Sequence, residues 1–532
     1  MAAGTPTPLA TGYVRSISAA LASRWSFIVA CIVTACAMLF LYTWRLDQAQ
    51  PYINHDEAGF GLSVHLLATT GRDYFGNLLP IYVGYLDNHQ LGGAIQSYWA
   101  IPFVKVLGLS VESVRLSIAL VGLVTLGMFG YLAWRLSENR WISLLGVWLL
   151  GTTPLFFMQS RVFLDTVMPV LFIAGWLICV AEVERRKSGR MLLLSALVLG
   201  VGAYSYGTAR MVMPVYMGLT LLLVLISRSC SWRSVLAAGA LFTAMMLPAL
   251  AFAAQDPDLY FTRYRQLTWL GDDGLTAPAA VSAYLAHYFS LFDPMDLFVR
   301  GDASLIHSTG MAGSYLWATL PLVITGLGWL VWRSLSEREP MRLLLPLALL
   351  LFPVPLALIS EQHAPSRGTY VTVIYTALAV VGASALARWR RSIRADNLAL
   401  GIMVVIGAIQ ATLFFADYFG AYGARSTAQV EFDGNKRGAF EALLSGANGN
   451  QVYYDVENAA TTTYARFFKA TVRFPGGVDP APPEWADRLP AGAYLLTVRP
   501  EAYGTGFQVV KTIPELAPGR PPHVILRKTG KP

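Results

Sequence analysis

The sequence predicts a polytopic α-helical membrane protein with about 11 transmembrane helices, followed by a small extracytoplasmic α/β domain. Three observations carry that class. Hydrophobic residues make up 55% of the 532-residue chain and charged residues only 14%, against about 25% charged in a typical soluble domain; mean hydropathy is +0.49. Apolar runs long enough to cross a bilayer recur down most of its length. The basic residues gather in alternate loops between those runs. The first observation excludes a soluble enzyme. The third excludes nucleic acid as the partner implied by the net charge of +8.

Residues 1–24 form a cytoplasmic segment carrying Arg15 and Arg24. They do not make a clean cleavable signal, because a long span and many more follow. The spans are predicted near 25–44, 114–134, 141–160, 166–184, 191–208, 211–227, 235–254, 313–332, 343–360, 369–387 and 397–416. The pair 191–208 and 211–227 also reads as one helical hairpin at the outer surface. With the N-terminus inside, the inner loops hold Arg135 and Arg140; Arg185, Arg186, Lys187 and Arg190; Arg228 and Arg233; Arg333, Arg338 and Arg342; and Arg388, Arg390, Arg391 and Arg394. The short outer connections are basic-poor by comparison. This asymmetry sets the orientation and agrees with the span count.

A transmembrane domain thus covers 25–416, with large outer loops at 45–113 and 255–312. In the first loop, 57–70 suits a short helix along the membrane surface, and 91–107, broken by Pro102 and carrying Lys105, reads as interfacial. Residues 417–532 form the outer α/β domain, with β-rich runs at Gln451–Asp455, Ala493–Val498, Phe507–Ile513 and His523–Lys528 and helical patterns near 436–445 and 459–469. Cys31, Cys36, Cys179 and Cys230 all fall in spans or on the inner side, so no disulfide is implied. An outer face without cysteine is compatible with a bacterial envelope.

Chemistry-bearing residues concentrate on the outer side. The acidic pair Asp56-Glu57 follows the first span, whose stretch Trp25–Trp44 carries no charge. A carboxylate that sinks into hydrocarbon costs roughly 2.5–3.5 kcal/mol, so the pair is a functional candidate as well as a solvated loop feature. Further on stand Arg72-Asp73, Asp87-Asn-His89-Gln90, Arg161 with Asp165, Tyr204, Tyr206 and Arg210, and Glu361-Gln-His363-Ala-Pro-Ser-Arg367. On helical spacing Arg161 and Asp165 share a face, so a pair between the two is the plain alternative to a role in a site. Arginine binds phosphate through a fixed fork, and a carboxylate near hydrocarbon takes a proton from a hydroxyl. Together they suit sugar transfer from a lipid phosphate.

The chain resembles the multi-spanning glycosyltransferases that use lipid-linked sugars (the GT-C fold), a class that includes protein O-mannosyltransferases and aminoarabinose transferases. The matching residues are Asp56-Glu57, then Gly71-Arg-Asp73-Tyr-Phe-Gly76-Asn-Leu-Leu-Pro80, and Phe103-Val-Lys-Val-Leu-Gly108-Leu-Ser-Val-Glu-Ser-Val-Arg115-Leu. Ser160-Arg161 with Asp165, Tyr204-Ser-Tyr-Gly-Thr-Ala-Arg210 with Pro214, and Ser366-Arg367 complete the set. The likeness spans roughly 20–420 and is strongest over the first 215 residues.

The resemblance implies a hexosyl or pentosyl transferase that takes its sugar from a polyprenyl phosphate and inverts the anomeric carbon. Asp56 would be the general base, Glu57 a support for the loop or the acceptor, and Asp165 a second carboxylate near acceptor or sugar. Arg161 and Arg367 would hold the departing phosphate. Aminoarabinose-transferase-like relatives carry a lysine in the first loop that would contact this phosphate; here His89 is the candidate in its place. Asp73, Tyr204, Tyr206, Arg210 and His363 are candidate substrate-binding residues. No cofactor is firmly implied. Some relatives use a divalent metal, but no ligand cluster here has the spacing, and His287, His307 and His363 read better as hydrogen-bonded loop residues. The implied partners are the lipid-linked donor, a glycan, lipid or protein acceptor, and membrane lipid. The implied location is a bacterial inner membrane, with the active site on the periplasmic side. From other classes, a flippase or transporter of lipid-linked glycans and a non-catalytic envelope scaffold are the alternatives. A transporter is disfavoured because polar residues sit at span ends and not at the bilayer midplane.

Overall fold

In the computed structural model the described residues are 24–50, 53–86, 90–271, 276–359, 364–388, 395–432, 436–447, 449–457, 459–514 and 521–529. His89 and His363 lie outside them.

Helix α1 (Arg24–Thr43) leads into α2 (His55–Thr70), the hairpin β1 (Tyr82–Leu86) and β2 (Gln90–Gly93), and α3 (Ala94–Leu107). Helix α3 has 14 residues, about 21 Å at 1.5 Å per residue, which is too short to cross a bilayer. Then come α4 (Val111–Ser137), α5 (Arg140–Gly151), α6 (Pro154–Gln159), α7 (Met168–Arg186), α8 (Gly189–Gly202), α9 (Ala209–Ile226) and α10 (Trp232–Gln255). The long connection that follows folds into α11 (Pro257–Leu267) and α12 (Ala277–Ser290). The bundle ends with α13 (Thr319–Glu337), α14 (Leu344–Leu351), α15 (Pro353–Leu356), α16 (Ala364–Arg367), α17 (Val371–Arg388) and α18 (Ala395–Phe419).

Among the described residues seven helices are long and apolar enough to cross a membrane: Arg24–Thr43, Val111–Ser137, Asp165–Arg186, Ala209–Ile226, Trp232–Gln255, Val371–Arg388 and Leu398–Ala424. The chain is an integral membrane protein. The predicted run 191–208 holds only the shorter α8, and 313–332 holds α13. Two other predicted runs are interrupted. The run 141–160 breaks after Gly151, where Thr152 and Thr153 bond back to the carbonyls of Trp148 and Leu149 and Pro154 has no N–H to continue the ladder. The run 343–360 breaks at Pro353 for the same reason. Helices α13 and α17 lie in backbone contact, because a Cβ on Gly326 or Gly382 would strike the carbonyl of Leu378 or Leu322. Small residues permit such approach between membrane helices.

The tail adds α19 (Ser426–Glu431), α20 (Lys436–Gly446), β3 (Val452–Tyr454), α21 (Ala459–Thr471), β4 (Val478–Pro480), β5 (Tyr494–Thr497), β6 (Phe507–Ile513) and β7 (His523–Lys528). The strand order is β4-β3-β5-β7-β6. Strand β3 runs parallel to β4 and β5, and the other pairs are antiparallel. Helix α21 packs on α2: the Tyr464 hydroxyl donates to the Ile53 carbonyl at 3.0 Å, and Arg466 donates to the Tyr74 hydroxyl at 2.7 Å. The hydrophobic core therefore runs unbroken from the bundle into the tail.

Candidate active site

The site begins at the first turn of α2. The Asn54 side chain accepts the Glu57 amide at 2.9 Å, and Glu57 accepts the Asn54 amide at 3.2 Å, a reciprocal cap that fixes where the helix starts. The rest of the Glu57 carboxylate is also engaged. Arg115 donates to it at 2.9 and 2.8 Å, and the Phe163 amide at 2.8 Å. Both Glu57 and Arg115 are fully buried. Asp56, about 100° back round the helix, turns to a cavity instead, with a third of its side chain exposed and His55 at 3.7 Å. The helix N-terminus favours its negative charge.

Asp165 reaches the same cavity from the turn that follows Phe163. It accepts the Gly93 amide at 2.8 Å. Gly93 is required there, because a Cβ would collide with the Ser205 carbonyl. Above it Tyr85 stacks on Phe60 at 4.0 Å and donates to Gln90 at 2.8 Å. Burial, and then the carboxylates of Asp56 and Asp165, push the Tyr85 hydroxyl well above its usual pKa. The hydroxyl stays protonated.

Three arginines line other walls of this cavity of about 350 Å³. Arg210, at the start of α9, lies 3.8 Å from the Tyr82 ring and 5.0 Å from the Tyr260 ring. Arg263 comes from α11, whose lining face runs Leu259, Tyr260, Arg263, Tyr264 and Leu267. Arg367, at the end of α16, donates to the Tyr206 hydroxyl at 3.3 Å, and its carbonyl accepts from Thr208 at 3.1 Å. Asp302 steadies α16 through the Ser366 amide at 3.1 Å. The cavity thus gathers two carboxylates and three guanidinium groups from parts of the chain more than 300 residues apart in sequence. Carboxylates suit proton transfer; guanidinium groups suit a phosphate.

No protein-family model matches the chain, and no curated protein is recognisably related to it by sequence. Solved structures do resemble it. ArnT from Cupriavidus metallidurans bound to undecaprenyl phosphate superposes with a TM-score of 0.54 at 14% identity, over 93% of this chain and 97% of that one. Its apo state gives 0.53 at 13% identity, with the same coverage. The archaeal oligosaccharyltransferase AglB from Archaeoglobus fulgidus, in complex with an inhibitory peptide and a dolichol-phosphate, gives 0.50 at 12%, over 90% of this chain and 70% of that one. The chain has the GT-C fold.

Within this GT-C bundle the sequence candidates separate. Asp56, Asp165, Tyr206, Arg210 and Arg367 line the cavity. Glu57 lies beneath it. Arg161 faces elsewhere: it donates to the carbonyls of Leu41 and Trp44, each at 2.6 Å, and to the Tyr418 hydroxyl at 2.9 Å. It therefore caps the end of α1, where helix carbonyls lack partners and a cation is favoured. The alternative of an Arg161–Asp165 pair is not realised, because the helix ends at Gln159 and Asp165 opens a separate 3-10 turn, so the two do not share a helix face. Asp73 accepts the amides of Phe75, Asn77 and Gly84 at 3.0, 2.8 and 2.9 Å and so shapes its own loop. Tyr204 donates to the Met245 carbonyl at 2.7 Å and stacks on Tyr82, the ring that carries Arg210. Arg263 was not singled out by sequence; its signal is the aromatic pair around it, Tyr260 and Tyr264, at helical spacing. His307 lines the cavity too, its Nδ1 2.5 Å from Gln159 Nε2. Among the described residues no group of three His, Cys, Asp or Glu is placed to hold a metal ion.

Proposed function

We propose that this protein is a membrane glycosyltransferase that moves a sugar from a polyprenyl phosphate to an acceptor hydroxyl on the outer face, with inversion. One observation carries the reading: a single cavity sets Asp56 and Asp165 among Arg210, Arg263 and Arg367. Asp56 takes the proton of the acceptor hydroxyl as its oxygen bonds to the anomeric carbon. The bond from that carbon to the phosphate oxygen breaks, and the polyprenyl phosphate leaves with the electron pair. Fixed guanidinium groups stabilise that growing charge best when they are already in place. Asp165, held by the Gly93 amide, orients sugar or acceptor. That ArnT was solved with undecaprenyl phosphate and AglB with a dolichol-phosphate supports the donor class. In this proposal the eleven apolar segments all lie in the membrane, the basic loops are cytoplasmic, and the cavity and the tail from 417 lie on the periplasmic side of a bacterial inner membrane. Tyr206 belongs to the substrate wall. Glu57, Arg161, Asp73 and Tyr204 hold the walls in place.

The test is sugar release or transfer by purified protein in lipid, supplied with radiolabelled polyprenyl-phosphate sugars, wild type against Asp56→Asn. Turnover that disappears in the variant is the expected result. Equal turnover in both would remove Asp56 from the mechanism, and binding without turnover for every donor would favour a carrier of lipid-linked glycans.

A further inference from the structure

At the opposite end of the bundle, on the side of the basic loops, a second cleft of about 390 Å³ opens between α4, α7, α13, α14 and α17. Its floor is apolar, built from residues such as Leu132, Val180, Leu330, Leu345 and Val381. Its rim carries Arg135, Arg185, Arg333, Arg342 and Arg388, against two lining carboxylates, Glu138 and Glu184. An orientation signal needs only basic residues in the loops. It does not require arginines from four separate inner connections to turn toward one cleft.

These side chains are held in position. Buried Glu182 takes Arg135 at 3.0 Å and Arg185 at 2.9 Å. Glu337 takes Arg333 and, at 3.0 Å, Arg342, and Glu339 takes Arg342 at 2.6 Å. Arg388 donates to the Ser137 carbonyl at 2.9 Å. Arg135, Arg333 and Arg342 are only 14%, 25% and 24% exposed. Each guanidinium has five donors, and the contacts named here engage one or two nitrogens of each. The arrangement keeps guanidinium forks at the rim of an apolar slot.

We propose that this cleft binds the phosphate head group of an anionic lipid of the basic-loop leaflet. The arginines take the phosphate oxygens, and an acyl chain covers the apolar floor between the helices. Basic pockets between membrane helices on the cytoplasmic side recognise lipid head groups in this way. A soluble phosphate would satisfy the rim and leave the floor uncovered. The proposal stands independently of the glycosyltransferase reading, since the two cavities lie at opposite ends of the bundle.

The test uses the full chain, delipidated in detergent and titrated by native mass spectrometry with dioleoylphosphatidylglycerol and with dioleoylphosphatidylcholine. The expected result is retention of the anionic lipid at roughly tenfold lower concentration, with the preference abolished in R333Q/R342Q. That double variant leaves Glu337 without its arginines, so R388Q, at a side chain that among the described residues bonds Ser137 and pairs with Glu138, provides a second reading; it should weaken the preference by about fivefold. Equal affinity for the two lipids, or a preference that survives in both variants, would overturn the proposal. Thermal stabilisation by inorganic phosphate equal to that given by the anionic lipid would assign the arginines to a soluble phosphate ester, and the lipid with them would be lost.

Discussion

Two neighbouring regions at one end of the bundle are built from the same residue types and do opposite things with them. Beneath the first loop, Glu57 is closed off by Arg115 and two amides, and Arg161 by three carbonyls and a hydroxyl. One residue from Glu57, Asp56 faces a cavity, as do Arg263 and Arg367. The lesson is that charge near the membrane does not by itself mark chemistry. A charge whose partners are all protein holds the scaffold, whereas one turned to a cavity is available to a substrate.

The sharpest way to break this division is Asp56→Asn. It keeps shape and removes the proposed base, so turnover of radiolabelled donor should fall about 10²–10⁴-fold, while the unfolding temperature in detergent stays at the wild-type value. A stability loss in place of an activity loss would move Asp56 into the scaffold.

Glu57→Ala should do the reverse. It leaves the Arg115 guanidinium buried without its counter-charge, a loss of about 3–5 kcal/mol. The expected outcome is a markedly lower unfolding temperature and a reduced monodisperse yield on size exclusion. Replacing the pair together, Glu57→Gln with Arg115→Met, should recover part of that stability, because no charge is then stranded. If Glu57→Ala folds normally and only turnover suffers, the pair belongs to the chemistry.

How much of this was legible follows from what each residue contacts. Hydropathy marked the apolar segments, and β-rich composition marked four of the tail strands, because both signals are local; β4 (Val478–Pro480), three residues ending in proline, carries too little of either. The breaks at Pro154 and Pro353 lay inside runs of unbroken hydrophobicity, where average apolarity outweighs a single missing donor. At the site, the resemblance drew attention to Asp56, Asp165, Arg210 and Arg367, all of which line the cavity. It set Glu57 apart as a support for the loop or the acceptor but treated Arg161 alike with Arg367, since a motif records that a residue is there and not which way it turns. That Arg115 lies against Glu57, 58 positions away, and Arg161 against Leu41, 120 away, are facts of tertiary packing. Arg263 was hidden for a related reason: it stands among other charges, Asp256, Asp258 and Arg265, and only the helical face of α11 shows which of them turns to the cavity.

Arg263 and Arg367 sharpen the comparison from the cavity side. Each replaced by Gln should weaken binding of a polyprenyl phosphate by about 10- to 100-fold, the range expected for one charged hydrogen bond of about 1.5–3 kcal/mol. Arg367→Gln should have the larger structural echo, because Arg367 also holds the Tyr206 hydroxyl. Titration of intrinsic fluorescence with the lipid phosphate, alongside thermal unfolding, separates the two effects. Unchanged affinity in both variants would leave Arg210 as the remaining cation of that wall.

The smallest effect is the most discriminating. Arg161→Lys preserves the positive charge at the end of α1 but loses the planar fork that reaches Leu41, Trp44 and Tyr418 together. Stability should drop by about 1 kcal/mol, and the affinity for a polyprenyl phosphate should not move. The family resemblance made Arg161 and Arg367 equals, and only this pair of measurements treats them as different. A loss of affinity in Arg161→Lys as large as in Arg367→Gln would show that the end of α1 opens on binding and that Arg161 leaves its carbonyls for the phosphate. Intact affinity with a lowered unfolding temperature would fix Arg161 as the cap that holds α1 against the loop bearing Asp165.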